Sequence, residues 1–113
     1  MNIQIFGTKK CNDTKKAERF FKERGIKYQF IDMKEKGMSK GEFTSVVQAN
    51  GGIENMINPN CKDKELLALI TYIAMEDKQE KNLENPQIIK TPVVRNGKQS
   101  TLGYVPEVWE NWT

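Results

Sequence analysis

Ile3-Gln4-Ile5-Phe6-Gly7-Thr8-Lys9-Lys10-Cys11-Asn12-Asp13-Thr14-Lys15-Lys16-Ala17 decides the fold. Ile3 and Ile5 alternate with Asn2 and Gln4, the period-two pattern of a short strand with one buried face. Gly7-Thr8-Lys9-Lys10 breaks that pattern, and the period then changes. Asn12, Asp13 and Thr14 are helix-capping types, and Ala17, Phe20 and Phe21 recur at helical spacing. Arg24-Gly25 closes this helix, because glycine takes a left-handed turn without a Cβ penalty. Tyr28, Phe30 and Ile31 form the next strand, which ends at Asp32. A strand–helix–strand opening of about 30 residues has the length of a right-handed βαβ crossover.

Working outward, Ser39 starts a second helix, with Glu42 placed for a capping box and Phe43, Val46 and Val47 as its buried face. Asn50-Gly51-Gly52 ends it, and residues 53–62 read as a short helix and a loop. A longer helix is predicted next, with Leu66, Leu67, Leu69, Ile70, Ile73 and Ala74 giving a wide apolar face. The charged residues 76–85 are predicted to be the exposed stretch. Val93 and Val94 begin a strand, Asn96-Gly97 is a hairpin turn, and residues 99–102 return antiparallel. Val105-Pro106-Glu107-Val108-Trp109 reads as a last short helix. The expected architecture is α/β: one domain over residues 1–113, with a mixed four-stranded sheet flanked by helices and a helical insert at about 39–80.

Composition narrows the chemistry. The formal charge of +3 is weak and the lysines alternate with acids, so no direct nucleic-acid partner is expected. No apolar run approaches the roughly 20 residues that span a bilayer. Residues 1–7 lack the basic and long apolar regions of a secretory signal, so the expected location is cytoplasmic. Two cysteines are too few for a disulfide framework, and without histidine a zinc site is not expected. The lack of histidine also removes the usual thiol–imidazole pair, which leaves thiol chemistry, carboxylates and lysines.

Cys11 is the candidate nucleophile. It falls where a strand meets a helix, and unpaired N–H groups at a helix start carry partial positive charge that stabilises a thiolate. Lys9 and Lys10 add cationic charge, and the Thr14 hydroxyl could point back toward the sulfur. Thr91-Pro92-Val93 is the second signal: a proline immediately before a strand, where a cis bond would expose the Thr91 backbone to an extended partner. The spacing at Cys11 is Cys-x-x-Thr, so no resolving cysteine lies in the motif. A bond to Cys61 requires Cα atoms within about 7 Å. Cys61 is read instead as an exposed or half-buried bystander.

Residues 7–17 resemble the active-site segment of the arsenate reductase ArsC family within the thioredoxin-like superfamily. Thr91-Pro92-Val93-Val94, Asn96-Gly97 and Gly103-Tyr104-Val105-Pro106-Glu107 are similar to that family's cis-proline strand, hairpin and final helix. The resemblance covers nearly the whole chain and implies a thiol oxidoreductase with Cys11 catalytic; Lys10, Thr14, Thr91, Pro92 and Arg95 are the candidate substrate-binding residues. It implies no bound cofactor, with glutathione as candidate co-substrate and glutathione or a glutaredoxin-type thiol as reductant. The same family includes Spx-type regulators that bind RNA polymerase, so the alternative is a non-enzymatic module with a protein partner. The family's reductases hold their oxyanion with arginines, and the matching positions here are Asn60, Thr91 and Val105, none of them cationic. A tetrahedral oxyanion suits planar, bidentate arginine contacts. Arsenate is therefore not the expected substrate, although Lys90 and Arg95 lie close by in sequence.

Overall fold

In the computed structural model, which describes residues 1–112, strand β1 (Ile3–Gly7) is followed by helix α1 (Asn12–Glu23) and strand β2 (Tyr28–Asp32). β1 and β2 pair in parallel, from Ile3 opposite Tyr28 to Gly7 opposite Asp32. On its other edge β1 pairs antiparallel with β3 (Val93–Asn96), which pairs antiparallel with β4 (Gln99–Leu102). The sheet is thus mixed and four-stranded, in the order β2-β1-β3-β4. This is the thioredoxin-like arrangement expected from the sequence.

The central strand serves two apolar layers because its side chains alternate across the sheet. Ile3 and Ile5 pack with Ala17, Phe20 and Phe21 of α1 and with Trp109 of α5 (Pro106–Trp109). Phe6 faces the opposite side, among Phe43, Val46, Met56, Ile70 and Ile88. Val94 joins the first layer and its neighbour Val93 the second, as period two requires. Burying each such side chain fully contributes about 1.5–3 kcal/mol. In the first layer the indole N–H of Trp109 donates to Thr101 Oγ1 at 2.8 Å, which satisfies its buried polar atom.

Helix α2 (Lys40–Ala49) starts as expected: Ser39 Oγ accepts from Glu42 N–H at 3.1 Å, and Glu42 Oε1 accepts from Ser39 N–H at 2.9 Å. The start of α1 differs from expectation. Its N-cap is Cys11, and Asn12, Asp13 and Thr14 form the first turn without capping it through a side chain. The predicted long helix is also two helices. α3 (Lys64–Tyr72) stops at Ile73, whose backbone is extended, and α4 (Met75–Glu84) begins at once. The apolar residues of 66–74 do not form one buried face: Ile70 is buried, but Leu69 is 46% and Tyr72 86% exposed. The stretch 76–85 is correspondingly not simply exposed. The break turns α4 back onto α2, where Gln79 donates to Thr44 at 2.9 Å, and Asn82 is fully buried.

A 3₁₀ turn at Ile53–Met56 leads to the contact that matters most for the site. Ile57 bridges Ile89, with Asn58 N–H donating to Ile88 O and Lys90 N–H to Met56 O, each at 2.8 Å. Backbone bonds therefore tie the insert to the segment that enters β3. The hairpin β3–β4 turns through Gly97 and Lys98 rather than Asn96-Gly97, and Gly97 takes the positive φ of 61°. No helix among the described residues is long and apolar enough to cross a membrane.

Candidate active site

Cys11 occupies the N-cap of α1 with an extended backbone (φ −83°, ψ 118°). Its N–H donates to Thr8 O and its carbonyl accepts from Lys15 N–H, both at 3.2 Å, so the loop and the helix hold the residue from either side. The half-buried thiol faces the segment entering β3, and Sγ donates to Thr91 O at 3.6 Å. The Thr91–Pro92 peptide is cis, and Pro92 is buried. Cys11, Thr91 and Pro92 are thus brought together from segments eighty residues apart.

The surroundings favour the thiolate. Burial pushes the Cys11 pKa up, but the Thr14 and Thr91 side chains and the N–H groups of Thr14 and Asp13, as donors available to the ionised sulfur, outweigh it. The net direction is below the ordinary thiol value. Thr14 carries the largest of the lowering effects, and its hydroxyl is fully buried. While the thiol proton points at Thr91, Thr14 Oγ1 has no partner of good hydrogen-bond geometry. Ionisation of the thiol supplies one: the sulfur beside it becomes the acceptor.

Thr14 is positioned by Gly7, a residue that sequence reading treated only as a break in the pattern. A Cβ at Gly7 would lie 2.5 Å from Thr14 Cγ2 and closer still to Oγ1. The end of the central strand and the first turn of α1 can approach this closely only without a side chain at residue 7. Gly7 is absent from the positive-φ glycines, so space and not backbone conformation sets the requirement.

Lys10 lines a concavity of about 610 Å³ together with Cys11, Thr8, Asn58, Asn60 and Gln87. Cys61 lines it too, at 7% exposure, so it is buried in the insert's core rather than exposed or half-buried. Both cysteines are free thiols. A second concavity of about 490 Å³ shares Thr8, Asn58 and Gln87 with the first and adds Met33, Lys34, Pro86, Ile89 and Thr91. Asn58 lies in a loop and Gln87 in a single 3₁₀ turn at Pro86–Ile88, both too short for periodicity to mark a functional face.

The structure does not bring Arg95 to the thiol. Arg95 stands opposite Gln4 in the β1–β3 pairing, and its Nη1 donates to Gln4 Oε1 at 2.8 Å, within the sheet. Nor does it line either concavity beside Cys11. Asn60 is exposed at the rim of the first concavity, Thr91 presents its carbonyl to the sulfur, and Val105 is the N-cap of α5. Among the described residues, no group of three His, Cys, Asp or Glu side chains is arranged to hold a metal.

Fold and thiol placement together define a thioredoxin-like protein with one cysteine at the first helix and a cis-proline strand opposite. The model of the ArsC family matches residues 6–112, and the chain belongs to that family. It is 26% identical over 106 residues to the global transcriptional regulator Spx 2 of Oceanobacillus iheyensis, covering 92% of this chain and 78% of the relative. Among solved structures, an ArsC family related protein from Bacteroides fragilis superposes with a TM-score of 0.85 at 19% identity, covering 100% of this chain and 98% of the other. An arsenate reductase from Vibrio cholerae superposes with a TM-score of 0.81 at 24% identity, covering 98% and 97%. Structural likeness at these identities speaks to fold.

Proposed function

We propose that this ArsC-family protein is a single-thiol oxidoreductase in which the Cys11 thiolate attacks a disulfide. In the first step a Cys11–sulfur bond forms, the substrate S–S bond breaks, and the leaving thiolate takes the electron pair and a proton from solvent. In the second, a thiolate of glutathione or of a glutaredoxin-type protein attacks the mixed disulfide and releases Cys11. The observation that carries this reading is the half-buried Cys11 sulfur at the start of α1, surrounded by Thr14, Thr91 and backbone donors that lower its pKa. A low-pKa, reachable thiolate is what disulfide exchange requires.

The test is the rate of Cys11 alkylation against pH, read by mass spectrometry alongside Cys11→Ser. The expected curve saturates at a pH below that of an ordinary thiol of about 8.5. A second reading, a protein-binding regulator, is favoured by the Spx relative. An ordinary Cys11 titration together with no exchange toward glutathione disulfide moves the assignment to that reading.

A further inference from the structure

We propose that the disulfide attacked by Cys11 is carried on an extended, acidic segment of polypeptide lying in a groove that runs past the thiol. This rests on the reading of Cys11 as a nucleophile and names the substrate class of that site. The two concavities share Thr8, Asn58 and Gln87, so they are two lobes of one groove. Cys11 lines one lobe and Thr91 the other, and the 3.6 Å contact between Cys11 Sγ and Thr91 O puts the sulfur at their junction.

Size argues for a chain rather than a small thiol. At about 490 and 610 Å³, each lobe by itself falls in the range of about 300–1,000 Å³ that houses a whole drug-sized ligand. A ligand of tripeptide size needs no more than one lobe. Occupying both takes a longer segment, with its cysteine at the junction.

The walls fit peptide rather than a compact anion. Asn60 and Gln87 offer amide side chains with donor and acceptor atoms that match a peptide group, and Asn58, whose Oδ1 accepts from Asn60 N–H, adds its amide N–H donors. The lobe away from Cys11 adds Met33, Pro86 and Ile89, an apolar seat for a side chain. The rim is basic. Lys10 and Lys62 border the first lobe and Lys34 the second; all are exposed, and none makes an ion pair among the described residues. The acid at this rim, Asp63, is held as the N-cap of α3, accepting from Leu66 N–H at 3.0 Å, so three lysines stand against one carboxylate. An excess of positive charge attracts anions and raises their encounter rate.

The probe is a hexapeptide whose single cysteine, flanked by glutamates, is blocked as a mixed disulfide with thionitrobenzoate. Cys11 attacks the peptide sulfur, the S–S bond breaks, and thionitrobenzoate leaves with the electron pair as a coloured thiolate. A lysine version of the peptide and free cysteine blocked in the same way serve as comparators, with Cys11→Ser as blank. The acidic peptide is expected to react about tenfold faster than the lysine peptide at low salt, with the preference shrinking as salt screens the rim. Lys34→Glu is expected to lower the rate ratio of acidic peptide to free blocked cysteine by about threefold or more. Equal rates for the two peptides, or a ratio that Lys34→Glu leaves in place, overturn the groove while the nucleophile stands. Both peptides and blocked cysteine reacting no faster than the Cys11→Ser blank overturns both.

Discussion

Replacing Gly7 by alanine puts a methyl group where Thr14 already sits. The new Cβ would lie 2.5 Å from Thr14 Cγ2 and 3.0 Å from Thr14 Cβ, against about 3.5–4.0 Å for a relaxed carbon contact. Neither side yields easily: Gly7 is in the central strand, and Thr14 is fully buried on α1 with a β-branched, stiff side chain. Overpacking of this kind costs about 1–3 kcal/mol. With a urea m-value of about 1–3 kcal/mol/M, the unfolding midpoint should drop by about 1 M. Thr14→Ala removes both the hydroxyl and the methyl that collide, at about 1 kcal/mol for a methyl-sized void. The double variant should therefore be more stable than the sum of the single losses by about 1 kcal/mol or more, the coupling of residues in contact. Urea unfolding of the four proteins measures this cycle. Additivity within about 0.5 kcal/mol would refute the claim that Gly7 and Thr14 are matched in space.

The site and the core offer further tests. Thr14→Ala, by removing a donor to the sulfur, should raise the Cys11 pKa and shift its alkylation curve to higher pH. Because the folded-state pKa is lowered, ionisation of Cys11 contributes stability above the unfolded thiol's pKa of about 8.5. That contribution is lost as pH falls through the folded value, so the stability gap between wild type and Cys11→Ser should be wider at alkaline than at acidic pH in paired urea titrations. Cys11→Ser should abolish thiol–disulfide exchange and Cys61→Ser should leave most of it, whereas equal losses would make Cys61 the resolving thiol. Arsenate should turn over poorly in a coupled glutathione–glutaredoxin assay. Asn60, Thr91 and Val105 carry no charge, and losing two charge-assisted hydrogen bonds of about 1.5–3 kcal/mol each weakens binding by about a hundredfold or more. Thr101→Val would strand the buried indole N–H of Trp109, which costs about 1–3 kcal/mol. The resulting fall in Tm is roughly 4 °C per kcal/mol for a chain of this size.

The sheet was legible because its signals are local. Alternation at Ile3 and Ile5, the capping box from Ser39 to Glu42 and the valines of β3 each follow from a few neighbouring residues. The Cys11 helix start could be placed for the same reason, although the cap proved to be the cysteine and not its polar neighbours. The split between α3 and α4 was hidden because an apolar run from Leu66 to Ala74 reads as one helix when tertiary packing is unknown. Arg95 is a candidate only through nearness in sequence, and strand geometry sets it against Gln4. Gly7, Asn58 and Gln87 act through segments distant in the chain, so their contribution is a property of the tertiary structure alone.

The insert is fastened to the segment entering β3 by main-chain bonds, Asn58 to Ile88 and Lys90 to Met56, and by the Ile57–Ile89 bridge. Every non-proline residue supplies the same N–H and C=O, so the fastening is indifferent to which side chains the segment bears. Recognition and reactivity are thereby separable under mutation. Asn58 Oδ1 accepts from Asn60 N–H and so shapes its own loop, but side chains at positions 60 and 87 can be exchanged to change what the proposed groove accepts while the sulfur and the proline opposite it keep their places. The scaffold is in this sense evolvable: a library randomised at those positions samples new specificities on a fixed nucleophile.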